Sequence, residues 1–283
     1  MHQLQTLRSE FIAALSSRYS ESEAAAMFRN LQADLPAGSG PVQLKARVEE
    51  LLPDLLTGRP FQYVTGQAWF YGLPFTVNEA VLIPRPETEE LVQKIIHNHS
   101  SDTDLRILDV GTGSGCIAIA LKHKLPKARV HAVDVSGTAL EVARKNSADL
   151  QAPVQFMHAD ILEWESIIDP DIWFDVIVSN PPYITPAEKL DMEAHVLNFE
   201  PEEALFVPEE APLLFYQYIA DCAEAHLREG GKVYFEVNQH YGQDVKHLLE
   251  RKGYQPVELL KDMQGVDRMI VGTKPKGHAA KQQ

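Results

Sequence analysis

Apolar side chains recur every three or four positions at the start of the chain. Leu4, Leu7, Phe11, Ile12 and Leu15 fall on one face of a helix across "LQTLRSEFIAALSSRY". Ser20 followed by Glu23 has the spacing of a capping box, in which each side chain satisfies the other residue's backbone N–H. It opens a second helix, "ESEAAAMFRNLQADL". After the breaker "PAGSGP" a third helix runs through "VQLKARVEELLPDLL". The pattern predicts a small helical domain over residues 1–58.

The texture changes at Gly58. "GRPFQYVTGQAWFYGLPFTVNEAVLIPRPETE" mixes aromatic and β-branched residues with Gly and Pro, which predicts a hairpin or linker over 59–86 with a turn at "YGLP". Beyond Thr88 a helix, "EELVQKIIHNH", leads into an alternation of strands and helices over 87–274. The strand segments are "RILDV", "VHAVDV", "VQFMHAD", "DVIVSN", "KVYFEV", "QPVELL" and "RMIVGT". Helices such as "SGTALEVARKNSADL" and "APLLFYQYIADCAEAHL" stand between them. This alternation predicts an α/β fold with a mainly parallel sheet and helices on both faces. The short polar link "KDMQGVD" makes the last two strands antiparallel, and the tail 275–283 is expected to be disordered.

Composition narrows the setting. The 283 residues suffice for one large or two unequal domains, and 45% hydrophobic content supports a sizeable core. There is no apolar run of about 18 residues. "MHQLQTLRSEFIAALSSRYS" lacks the basic start, apolar run and cleavage site of a signal peptide. Cys116 and Cys222 are too few for a disulfide framework or a zinc site, so a cytoplasmic, reducing setting without membrane or metal is expected. The net charge of −14 weighs against direct nucleic-acid binding, because phosphate neutralisation needs a basic face. A local basic patch is still compatible with a negative total.

The first chemical motif is "RILDVGTGSGCIAIALKHKL": a strand, a glycine-rich turn and an apolar helix. Gly111, Gly113 and Gly115 let the backbone turn sharply and approach a ligand. Asp134, about 20 residues on at the end of "VHAVDV", stands where nucleoside-binding folds place an acid for ribose hydroxyls. A dinucleotide fingerprint would need glycine where Cys116 stands, and no Gly-Lys-Ser/Thr follows as in a P-loop. The loop instead resembles the S-adenosylmethionine loop of class I methyltransferases. Cys116 itself reads as a small buried hydrophobe, since no His adjoins it in sequence.

The second motif is Asn180-Pro181-Pro182-Tyr183, at the end of the apolar segment "DVIVSN". Two prolines fix two φ angles and stiffen the chain where the strand stops. A planar NH₂ group, whether an amide or a base amine, has a delocalised lone pair and is a poor nucleophile. Acceptors for its two N–H groups, the Asn180 side-chain oxygen and the carbonyl of Pro181, orient the nitrogen for attack on a methyl group. Tyr183 offers a flat apolar face with a polar tip. Such catalysis is mostly positioning. The strand bearing this motif should lie beside the glycine-loop strand, so that both motifs face one crevice. The motif leaves two substrates open, the exocyclic amine of a DNA or rRNA base and the side-chain amide of glutamine.

Taken together, "TGQAWFYGLPFTVNEAVLIPRPETEELV", "ILDVGTGSG", "VDVS", "VSNPPYI" and "FEPEEAL" closely resemble the peptide chain release factor N5-glutamine methyltransferase family, from about residue 58 to "GVDRMI". The resemblance implies a Rossmann-like class I methyltransferase fold: a seven-stranded, mostly parallel sheet preceded by a helical domain that binds the substrate protein. It implies methyl transfer from S-adenosylmethionine to the glutamine of the Gly-Gly-Gln loop of release factors; a monomer is expected. By the same resemblance Gly111, Thr112, Gly113, Ser114, Gly115 and Asp134 hold the cofactor, and Asp160 and Ile161 border its adenine. Asn180 touches cofactor and substrate, while Pro181, Pro182 and Tyr183 hold the amide, with Asn180, Pro181 and Tyr183 catalytic. Two departures from the family pattern are "FVPEEAPLL" after "FEPEEAL", and Asn238 where the family commonly has glycine. Arg85 serves the hinge or the cofactor region, Glu200 a loop or the partner, and His97 and His99 are expected to be solvated.

Overall fold

A computed structural model describes residues 2–36, 38–101 and 103–276. Four helices come first: α1 (His2–Leu15), α2 (Glu21–Ala33), α3 (Pro41–Thr57) and α4 (Phe61–Thr65). The hairpin β1 (Gln67–Phe70) and β2 (Leu73–Thr76) leads to α5 (Pro86–Asn98), β3 (Arg106–Val110), α6 (Cys116–Lys124), β4 (Arg129–Asp134), α7 (Gly137–Asp149) and β5 (Gln155–His158). Then follow α8 (Trp164–Ile167), β6 (Phe174–Ser179), α9 (Ala194–Phe199), α10 (Leu214–His226), β7 (Leu227–Glu236), α11 (Gly242–Arg251), β8 (Val257–Lys261) and β9 (Asp267–Thr273). The described tail ends at residue 276, so most of the expected disordered segment lies outside the described residues.

Two compact units are present. The smaller comprises the chain up to Gln67 together with Glu193–Phe199. Its core joins Phe11 and Leu15 of α1, Phe28 and Leu31 of α2, and Leu44 and Leu55 of α3. The Phe11 and Phe28 rings meet at 5.7 Å. Burying each such ring contributes about 2–3 kcal/mol. The Ser20–Glu23 capping box forms as its spacing predicts, and Gly58, at φ +88°, ends α3 in a left-handed turn.

The larger unit, Ala68–Met192 with Glu200 onward, is built on a seven-stranded sheet in the order β5-β4-β3-β6-β7-β9-β8. The pairs from β5 to β7 are parallel, and β9 runs antiparallel to both β7 and β8. Successive residues Ile107 and Leu108, like Val176, Ile177 and Val178, are fully buried, so the central strands are covered on both faces. The chain leaves β3 toward β4 and β5, then returns to β6 on the other side of β3. That reversal opens a crevice beyond the carboxyl ends of β3 and β6.

One local departure from expectation lies at the start of α5, while the hairpin turn falls within "YGLP" as expected. The helix expected beyond Thr88 starts at Pro86, because proline is preorganised for a first helical position. Thr88 therefore lies in the first turn of α5. The hairpin turn is Tyr71-Gly72, both at positive φ, as a two-residue turn matched to strand twist requires.

Candidate active site

A cavity of about 300 Å³ occupies the crevice, lined by the ends of β3, β4, β5 and β6 and by the segments Glu79–Leu82 and Pro201–Ala204. Gly111 and Gly113 line it, at φ +71° and +55°. A Cβ built on either would meet no protein atom within 4 Å, so both leave open space beside the backbone. Gly115 has a different task. Its Cβ would stand 2.9 Å from Ile119 and 3.2 Å from Ala143, so this glycine lets α6 and α7 approach.

Asp134 lines the cavity and holds the loop, its carboxylate accepting from the backbone N–H of Gly113 at 2.8 Å and of Ser136 at 2.9 Å. Burial raises its carboxyl above the usual range, and these two bonds oppose the shift. Asp160 and Ile161 line the same cavity, and Asp160 accepts from Leu162 N–H at 2.9 Å to cap a short helical turn. Thr112, Ser114 and Gly115, expected among the cofactor contacts, stand outside the lining. Thr112 turns inward instead, donating to Asp109 at 2.6 Å. Asp109, fully buried under the loop, also accepts from Ala118 N–H at 3.2 Å, and burial pushes its carboxyl up to about 7.

At the end of β6, Asn180, Pro181 and Pro182 line the cavity. Ser179 ties that strand end to β3 by donating to the Val110 carbonyl at 2.7 Å. Tyr183 lies outside the lining and donates its hydroxyl to Glu236 at 3.2 Å. Burial raises the Tyr183 phenol, so it remains a neutral donor. Glu236, at the end of β7, also accepts from Thr88 at 2.6 Å, and Thr88 accepts from Asn180 Nδ2 at 3.3 Å. Sequence reasoning missed Thr88 and Glu236. The available signal was an acid alone in the apolar stretch "KVYFEV", which needs a buried partner.

The surrounding loops are tied down by polar side chains. Asn146 of α7 exchanges hydrogen bonds with the Thr76 backbone at 2.7 and 2.9 Å and donates to the Ser114 carbonyl at 2.9 Å, joining β2 to the glycine loop. Glu200, its side chain wholly buried, pairs with Arg85 at 2.5 Å and accepts from Ile83 N–H at 3.2 Å. Arg85 and Glu200 thus brace the segments before α5 and before Pro201. Asn238 donates to the Tyr183 carbonyl at 3.3 Å and to Glu188 at 2.8 Å. The segment after "EPEEAL" pairs with the chain beyond Tyr183 through Ile184 and Val207 at 2.9 Å. The two departures from the family pattern thus lie against Tyr183 and Ile184.

Other side chains take structural places. Cys116, expected to be buried, is only partly so, and desolvation pushes its thiol up to about 12. His97 is exposed, whereas His99, expected to be solvated, is half-buried against Tyr234, and burial lowers its pKa. Trp164 packs edge-on to His226 and Trp173 lies beneath Lys274.

The charges of the cavity are one-sided. Glu79, Asp134, Asp160 and Glu203 line it, with no Lys, Arg or His among the lining residues. A pyrophosphate would be repelled here, and a cation attracted.

A glycine loop and a strand-end acid at the switch point of this sheet define a class I methyltransferase. The fold is shared with a methyltransferase from Pyrococcus furiosus, 20% identical, with a TM-score of 0.53 over 73% of this chain and 91% of that one. Residues 87–202 match the Methyltransferase small domain family. A release factor glutamine methyltransferase of Bacteroides thetaiotaomicron is 48% identical over 80% of each chain. One from Flavobacterium psychrophilum is 42% identical over 94% of this chain and 98% of its own. The chain belongs to the release factor glutamine methyltransferase family.

Proposed function

We propose that this protein transfers a methyl group from S-adenosylmethionine to the side-chain amide nitrogen of the glutamine in the Gly-Gly-Gln loop of peptide chain release factors. The observation that carries this reading is one acidic cavity lined at one end by the glycine loop and Asp134, and at the other by Asn180-Pro181-Pro182. It joins the naming of the relatives as release factor glutamine methyltransferases.

S-adenosylmethionine suits the residues present. Its sulfonium and ammonium charges match a lining of carboxylates, and the open space beside Gly111 and Gly113 admits a ligand against the backbone. Asp134 would take the ribose hydroxyls, and Asp160 and Ile161 would border the adenine. When bound, the cofactor supplies an electrophilic methyl group.

The chain's own part is positioning. The Asn180 side-chain oxygen and the Pro181 carbonyl accept the two N–H groups of the glutamine amide and aim its nitrogen. The prolines hold that carbonyl still, because their φ angles are fixed. Tyr183, anchored through its hydroxyl, shapes the wall beside Pro182. No strong base is needed before attack, since methyl transfer to the neutral amide gives an N-methylated amide cation that is strongly acidic and releases its proton to solvent afterwards. Holding the reacting groups in line supplies much of the rate. The helical unit at the N-terminus binds the release factor, and the enzyme acts as a cytoplasmic monomer without contacting nucleic acid. Among the described residues no helix is long and apolar enough to cross a membrane.

The test is methyl transfer from labelled S-adenosylmethionine to an intact, unmethylated release factor. Label should enter the wild-type factor and disappear with the Asn180→Ala enzyme or with a factor whose loop glutamine is replaced by alanine. Labelling of rRNA or DNA in place of the factor would overturn the substrate and leave the cofactor.

A further inference from the structure

Asn180 can serve as an acceptor for the glutamine amide only if the oxygen of its own amide faces the crevice. An amide has two nearly isosteric ends, so something must choose between them. The choice is made beneath the site by two buried side chains, Thr88 in the first turn of α5 and Glu236 at the end of β7, each 2% exposed and 148 residues apart in sequence.

The donors and acceptors of this cluster leave one consistent arrangement. An ionised carboxylate only accepts hydrogen bonds, and a threonine hydroxyl has one proton to donate. The Glu236 Oε2 atom takes that proton at 2.6 Å, and Oε1 takes the Tyr183 hydroxyl at 3.2 Å. Thr88 therefore meets Asn180 with a lone pair, and Asn180 must present its NH₂, 3.3 Å away. The Asn180 oxygen is then directed away from Thr88. Reversing the amide would leave the Thr88 lone pair facing the Asn180 oxygen, with no proton between them.

We infer that Glu236 and Thr88 are positioning residues that relay hydrogen-bond polarity to Asn180 and so fix its side-chain oxygen as the acceptor for the substrate amide. The inference rests on the reaction proposed above and deepens it. A buried carboxylate is a costly way to hold a helix on a sheet, since an apolar pair of the same shape would pack without burying a charge. An acceptor-only group is what the relay requires.

Ionisation of Glu236 is part of the device. The groups facing it are Glu87 and Thr88 of α5, Cys116 of α6, Tyr183 after β6, Tyr216 of α10 and Arg268 of β9. Burial raises the Glu236 carboxyl above the ordinary range, with Thr88, Arg268 and Tyr183 opposing. On protonation it becomes a donor toward Thr88, the Thr88 proton is free to turn to Asn180, and the amide can reverse. The rate should therefore fall on the acid side as pH drops through the raised value.

The experiment compares wild type, Thr88→Val, Thr88→Ser, Glu236→Gln and the Thr88→Val/Glu236→Gln double variant, with intact unmethylated release factor as substrate. Thermal melts check folding. Thr88→Val should lower kcat by about 100-fold with KM unchanged, as expected for a misaligned reacting group. Thr88→Ser, which keeps the hydroxyl, should retain most of the activity. Glu236→Gln should lower kcat and remove the acid limb of the pH profile. The double variant should be no worse than the worse single, because both act through Asn180. Wild-type kcat in Thr88→Val overturns the inference, as does an acid limb that persists in Glu236→Gln. Losses that multiply in the double variant also overturn it and leave the cluster a packing element. If Thr88→Val does not fold, Thr88→Ser and the Glu236→Gln pH profile decide. Failure of the wild type itself to label the factor removes the reaction on which the inference stands, and is distinguishable from every outcome above.

Discussion

At the β3–β4 end the crevice is walled by peptide: Gly111 and Gly113, backbone held by Val133 and by the Asp134 carboxylate. At the β6–β7 end the wall is an amide side chain, Asn180, which bonds Thr88 of α5, itself bonded to Glu236 of β7, which also accepts from Tyr183. The first end needs room beside the backbone, which Gly111 and Gly113 supply locally. The second needs one atom of one side chain to be an acceptor rather than a donor, and only a buried network can impose that. Substitution at the glycine end should therefore impair folding or ligand binding, whereas substitution at the amide end should impair the chemical step.

The largest separation is expected for Asn180→Ala. Transfer to the release factor should fall by about 1,000-fold, the scale for losing a preorganised polar group at a reacting centre. Calorimetric binding of the cofactor should change far less, and an equal loss in both would merge the two ends into one.

Gly115→Ala comes next and should act on stability. The new methyl group meets Ile119 at 2.9 Å in a backbone held at φ +82°, so unfolding free energy should drop by about 2–3 kcal/mol. A melting temperature lowered by about 5–10 °C is the corresponding readout.

Asp109 gives a pH-dependent difference. Its folded carboxyl lies at about 7, against about 3.9 in an unfolded chain. The folded state keeps a proton that the unfolded chain has released. This stabilisation is complete below the unfolded value and is lost as pH rises through the folded one. Between pH 5 and 8, wild type should lose up to about 2 kcal/mol more than Asp109→Asn in urea unfolding.

Gly113→Ala, with no clash to relieve, should leave the melt nearly unchanged and weaken the cofactor by about tenfold, the equivalent of about 1.4 kcal/mol. A melt lowered as far as that of Gly115→Ala would erase the distinction between glycines kept for the ligand and for packing. Asn238→Ala, removing the bonds to Tyr183 and Glu188, should cost only about 1 kcal/mol of stability.

Much of this site was legible because its signals are short. Asp134 was found from its spacing to the glycines, and Asn180 from the stiff dipeptide that follows it. Within the glycine loop the sequence did not distinguish residues that line the cavity from those that face the core. Thr112 turns down because Asp109 lies beneath it, a fact about the third dimension. Arg85 and Glu200 each had two plausible tasks in sequence, and their pairing across 115 residues decided between them. Thr88 was placed before the helix it belongs to, because the two prolines flanking Arg85 read as a break when one of them in fact starts α5.

The sequence by itself determined the alternation of strands and helices and the positions of the glycine loop, of Asp134 and of the Asn-Pro-Pro-Tyr motif. These depend on hydrophobic period and on backbone angles that Gly and Pro set within a few residues. Only the tertiary structure decided that Thr88, Asn180, Tyr183 and Glu236 form one hydrogen-bonded chain, and that the cavity above them carries four carboxylates and no basic side chain. Contacts across 92 and 148 residues leave no periodic trace in a sequence. They exist because the return of the chain from β5 to β6 brings the ends of α5, β6 and β7 to one edge, where buried polar groups must find each other.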